Sequence, residues 1–91
     1  MVEEELYRLE AISSLPKEYN QTLEDISKQF NNEIGRHEAM DRSFIVSEQI
    51  EDYLLNHPYI IFRPECYKLA FQARELLAEL YQRIENSDFN G

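Results

Sequence analysis

An all-α fold is predicted by three features of this chain. Between Pro64 and Asn86, the residues Cys66, Ala70, Ala73, Leu77, Leu80 and Ile84 recur at alternating spacings of four and three. That is an apolar seam along one helix face. Tyr19, Leu23, Ile26, Phe30 and Ile34 repeat the same rhythm earlier. The only β-like run is Tyr59-Ile60-Ile61-Phe62, and a single strand has nothing to pair with.

The elements follow in order. Leu6, Leu9 and Ile12 behind Glu3-Glu4-Glu5 predict a short helix over about 3–13, with its acidic residues at the positive end of the dipole. Ser13-Ser14-Leu15-Pro16 reads as a stop and a restart, because serine favours the N-cap and proline fits a first turn. From there the spacing predicts helix over about 16–56. This is one long helix or two, depending on whether Gly35 bends or breaks it; the bend is favoured, since Arg36-His37-Glu38-Ala39-Met40 propagates helix well. Asn56-His57-Pro58 ends the run, because the residue before a proline is pushed out of helical angles. An extended connector is expected over 57–63. Pro64 and Glu65 then restart a helix over about 64–86, and the tail 87–91 is expected to fray.

The last helix is too apolar for a one-sided surface helix. Tyr67, Leu69, Phe71, Leu76, Ala78 and Tyr81 widen its face beyond the seam. The predicted architecture is therefore an antiparallel helical hairpin with the short N-terminal helix across it, one domain over 1–91. Two copies would pair as a homodimer into a four-helix-type bundle, with Ala70 and Ala73 at a close crossing.

Size limits what the chain can hold by itself. At 91 residues it buries a modest core. Cys66 is the only cysteine, so no intrachain disulfide and no cysteine-based metal site supports the fold. A lone free cysteine and an acidic N-terminal sequence, unlike a signal peptide, predict a cytoplasmic protein. No apolar run reaches membrane-spanning length, so no membrane association is expected.

The net charge of −9 argues against direct nucleic-acid binding, which needs clustered Lys and Arg. The surplus is uneven. Residues 16–57 hold nine acidic and four basic side chains, whereas 58–91 hold five and four. Such acidity keeps a small protein soluble and also suits a partner with a basic patch.

Several constellations carry potential chemistry. Glu33, His37 and Asp41 lie four residues apart on one helix face and are acceptable divalent-metal ligands. The same spacing fits a solvated face stabilised by side-chain pairs. No Glu-x-x-His pair accompanies it, and no metal or other cofactor is expected. His37-Glu38 resembles the phosphoacceptor histidines of bacterial signalling proteins over those two residues, which would imply phosphotransfer. Glu48-Gln49-Ile50-Glu51 with Glu85-Asn86-Ser87-Asp88 resembles the paired acidic motifs of helical nucleotide pyrophosphohydrolases, which hold magnesium. The basic residues that would meet a triphosphate are sparse, however. Cys66 sits on the apolar seam, where a thiol packs as a small hydrophobe.

No catalytic signature emerges, and the chain is not expected to be an enzyme. Six tyrosines and five phenylalanines are many for this length, and tyrosine is enriched in interfaces. Tyr59, Phe62 and Tyr67 gather around the connector, where they either plug the end of the bundle or form the candidate anchor. Glu48, Glu51 and Asp52 form the candidate acidic contact. The expected role is a small acidic protein–protein interaction module, an adaptor or regulator. The alternatives are a phosphotransfer or metal-binding protein centred on His37, and a structural subunit of a larger complex.

Overall fold

The serines and proline expected to end the first helix do not end it. In the computed structural model, which describes residues 2–87, α1 runs Val2–Tyr19 straight through Pro16. The hydroxyls of Ser13 and Ser14 both donate to the Glu10 carbonyl, at 2.9 and 3.0 Å. They bond back into their own helix instead of capping a new one. The stop comes at Asn20, whose φ of 53° is left-handed. Gln21 N–H then reaches the Pro16 carbonyl at 3.2 Å, a six-to-one closure of the helix end. Asparagine adopts this conformation more readily than most side chains.

The run expected over 16–56 is interrupted twice, at 20–22 and 31–32, and widens into a π-helix at its end. After α1 come α2 (Leu23–Phe30), α3 (Glu33–Gln49) and a π-helical segment (Ile50–Leu55). The apolar rhythm from Tyr19 to Ile34 is real, but the backbone carrying it breaks at polar residues. Thr22 is the N-cap of α2, its hydroxyl accepting from Asp25 N–H at 3.2 Å. The expected extended connector is also corrected, because Pro58–Ile61 forms a helical turn, α4. Proline takes its first position, and His57 Nδ1 accepts from Tyr59 N–H at 3.1 Å. The β-like composition of Tyr59-Ile60-Ile61-Phe62 favours extended backbone, but the cap and proline decide for helix. The last helix agrees closely with expectation, as α5 spans Pro64–Glu85. The fold is all-helical, with no strand among the described residues. The expected frayed tail lies, from residue 88 onward, outside them.

The chain divides into two compact units, Met1–Gly35 and Arg36–Gly91. In the first, α1 packs on α2. Ile26 is its buried apolar residue, 4% exposed. The rings of Tyr19 and Phe30 meet at 5.6 Å between centroids, tilted by 51°. Asn32 ties the end of α2 to the start of α3. Its amide nitrogen donates to the Lys28 and Gln29 carbonyls at 2.7 and 2.9 Å, and its oxygen accepts from Gly35 N–H at 3.0 Å. One side chain thus satisfies orphan groups of two helix ends. Gly35 lies in the first turn of α3, and the break in the helical run falls before it, at Asn31 and Asn32. A Cβ there would sit 1.6 Å from the Phe30 carbonyl oxygen, so the junction needs glycine for close approach. On the surface of α1, Arg8 hydrogen-bonds Glu5 and holds its carboxyl below the ordinary range.

In the second unit, the π segment packs on α5, and α4 touches both. The widened turn has a register consequence. An α-helix would place residue 54 beneath Ser43, Ser47 and Ile50. Instead Asn56 N–H bonds the Glu51 carbonyl at 3.1 Å, five residues back, and Leu55 is the residue buried. Leu55 is 5% exposed, and with Ile26 it completes the buried apolar residues among those described.

Leu55→Ala is expected to destabilise the second unit by about 2–3 kcal/mol, read as a lowered urea midpoint in far-UV circular dichroism. Gly35→Ala is expected to disrupt the α2–α3 junction. It should lower helicity, although alanine favours helix over glycine by roughly 1 kcal/mol. A gain in helicity would contradict the close contact with Phe30.

Candidate interaction surface

The second unit brings α3, the π segment and α5 together through a few polar ties. Arg36 Nη1 donates to the Glu85 carbonyl at 3.4 Å, and Arg74 pairs with Glu51 at 3.4 Å. Between these ties, Ser43, Phe44 and Ser47 of α3 face Leu77, Ala78 and Tyr81 of α5 across a groove of about 340 Å³. Its far end is lined by Gln82 and Glu85. The Ser43 hydroxyl already donates to the Ala39 carbonyl at 2.8 Å, so Ser43 adds little polarity to the groove.

On α5, the expected seam divides into two stripes. Cys66, Ala70, Leu77 and Ile84 lie half-buried together with Arg74 and Tyr81. Ala73 and Leu80 are exposed and belong with Leu69 and Leu76 on a second stripe. No residue of α5 is fully buried.

The aromatic corner is assembled in pieces. The Arg63 guanidinium lies 3.4 Å over the Tyr59 ring, and its Nη1 donates to the Tyr59 carbonyl at 3.2 Å. Tyr67 stacks on Phe71, with centroids 6.5 Å apart. Arg74 sits 4.7 Å over that Phe71 ring while holding Glu51. A relay from Tyr67 through Phe71 and Arg74 to Glu51 therefore joins α5 to the π segment. Phe62 stands apart, 79% exposed, beside a shallow depression of about 500 Å³ lined by Arg63, Pro64, Glu65 and Cys66.

Of the acidic candidates, Glu48 and Asp52 are exposed, whereas Glu51 spends part of its charge on Arg74. Glu33, His37 and Asp41 are exposed on α3. Among the described residues, no group of three or more His, Cys, Asp or Glu side chains could hold a metal ion. No described helix is long and apolar enough to cross a membrane.

Sequence reasoning missed Phe71 and Arg74 as the link to Glu51, because the link depends on which turn of α5 faces the π segment. It also missed Leu69 and Leu76 as a stripe with Ala73 and Leu80, although their spacing of four, three and four is visible in the chain. No protein-family model, curated protein or solved structure matches this chain.

Arg74→Ala removes the ion pair with Glu51 and the cation–ring contact with Phe71. A loss on the order of 1 kcal/mol is expected, since the pair is partly exposed. Thermal unfolding of the variant, compared with Glu51→Gln, would show whether both contacts contribute.

Proposed function

We propose that the chain is a non-enzymatic interaction module, an adaptor or regulator whose exposed apolar side chains are completed by a protein partner. One observation carries this reading. Ile26 and Leu55 are the buried apolar residues among those described, while Phe62, Tyr53, Tyr59, Phe44 and most leucines of α5 are exposed. Large exposed apolar patches mark interaction sites.

Within the second unit, the contacts of Arg36 with Glu85 and of Glu51 with Arg74 support an antiparallel hairpin of α3 and α5. Pairing of two hairpins into a four-helix-type bundle belongs to the same reading. Phe62 is the anchor of the corner, because Tyr59 and Tyr67 already have partners on their ring faces. Glu48 and Asp52 supply the acidic contact to a basic patch, with Glu51 a weaker contributor. The same thin core fits a structural subunit of a larger complex, in which the isolated chain would fold poorly.

Native mass spectrometry of the protein isolated gently from its host tests the proposal. A protein-sized increment different from the chain's own mass is expected. It should be lost with Phe62→Asp and weakened as salt rises, because rim charges act through screened fields. A metal- or phosphate-sized increment that disappears with His37→Ala would replace this reading with chemistry at His37.

A further inference from the structure

The exposed stripe of α5 has a symmetry of its own. Leu69, Ala73, Leu76 and Leu80 are spaced four, three and four, the rhythm of a coiled-coil seam. The three leucines are 68%, 65% and 46% exposed, on the longest helix among the described residues. Single exposed leucines need no explanation, but a stripe in register does. The neighbouring positions Ala70, Leu77 and Ile84 are half-buried. The stripe is therefore a second face of α5, beside the one its own unit covers.

We propose that this stripe is the seam of a two-fold symmetric homodimer, in which α5 packs antiparallel against α5 of a second copy. The proposal rests on the reading of the chain as an interaction module and names the occupant of one of its faces. Laid antiparallel, Leu69 faces the second copy's Leu80, and Ala73 faces the second copy's Leu76. Each pairing then recurs with the copies exchanged, as an isologous interface requires. Small meets large at the centre, so no layer sets two alanines against each other.

The flanking charges choose the same direction. In that register Glu65 comes opposite the second copy's Arg83, and Gln72 opposite the second copy's Glu79, each twice. Arg83 reaches Glu79 of its own helix at 3.5 Å, with both side chains largely exposed, so its guanidinium can donate to a second carboxylate. A parallel pairing would instead set Arg83 against Arg83 and Ala73 against Ala73. It would gain like-charge repulsion and a gap. The seam spans four layers, less than the roughly 800 Å² per partner typical of stable interfaces, so a reversible dimer of micromolar affinity fits it.

Sedimentation equilibrium of the full chain across the micromolar range tests this. A monomer–dimer equilibrium is expected. Leu76→Asp places a charge at the two-fold centre, where it acts twice, and should weaken the dimer by at least about tenfold. Its circular dichroism should match the parent, because Leu76 is exposed. Orientation is read in a Cys66→Ala background. Mixed Leu69→Cys and Leu80→Cys chains should form disulfides with each other far more readily than either forms with itself. Preferential pairing of Leu69→Cys with itself would overturn the antiparallel arrangement. A monomer at high micromolar concentration, or a dimer indifferent to Leu76→Asp, would overturn the seam. Phe62→Asp serves as the control that separates the two proposals. It should leave the homodimer intact, so loss of a foreign partner alone would not touch this one. Conversely, a captured partner on a monomeric chain would leave the interaction reading standing and remove the homodimer.

Discussion

The π-helical segment Ile50–Leu55 is the constraint on which the second unit depends. It is where the long run of α3 meets α5, and its wider turn decides which side chain is buried. With five-residue bonding at Asn56, Leu55 takes the inward place and Leu54 is left partly exposed. Glu51, on the same widened turn, reaches Arg74 and through it the Phe71 ring. One face of α5 is thereby engaged along Cys66, Ala70, Leu77 and Ile84. Leu69, Leu76 and Leu80, on another face, stay exposed. Two α-helices running side by side in regular register would share a longer seam; here contact concentrates near the α4 turn, and a groove opens between Ser43 and Ala78.

The first unit is governed by asparagine and glycine. Asn20 ends α1 by adopting the left-handed region, and Asn32 bonds both sides of the α2–α3 junction. Gly35 allows the backbone of α3 to begin against the Phe30 carbonyl. These were the least legible parts of the sequence. Asn20, Asn31 and Asn32 fall on the polar face of an uninterrupted amphipathic rhythm, so periodicity alone hides the breaks. Propensity arguments also weighted Pro16 and the serines too heavily. A proline inside a helix costs one hydrogen bond and some strain, and α1 tolerates both while its serines bond back to Glu10.

Other parts were legible. The all-helical class, the start of α5 at Pro64 and the stop at Asn56 follow from cap and proline chemistry that tertiary packing does not override. The faces of α5 were harder. Cys66, Ala70, Ala73, Leu77, Leu80 and Ile84 form one sound seam by spacing, yet Leu69, Ala73, Leu76 and Leu80 form another that shares two of the same residues. Spacing cannot choose between overlapping stripes on a helix this apolar. The choice is made by the neighbouring element, and here that element is the irregular π segment, whose register does not announce itself in composition.

Charge and exposed apolar surface belong together in this chain. A net charge of −9 keeps apart copies whose leucines and aromatics are open to solvent, so association must be specific to overcome it. The two proposed contacts consequently respond to salt with opposite sign. A basic partner is drawn by the acidic field, and screening that field weakens the complex. A second copy carries the same charge, so screening removes repulsion while the leucine seam is unaffected. The crossed pairs of Glu65 and Arg83 weaken a little in salt, but exposed pairs contribute roughly 0–1 kcal/mol each, less than burying several leucines. Self-association should therefore tighten as ionic strength rises through the range in which partner binding loosens, and salt becomes the variable that moves the chain from one contact to the other.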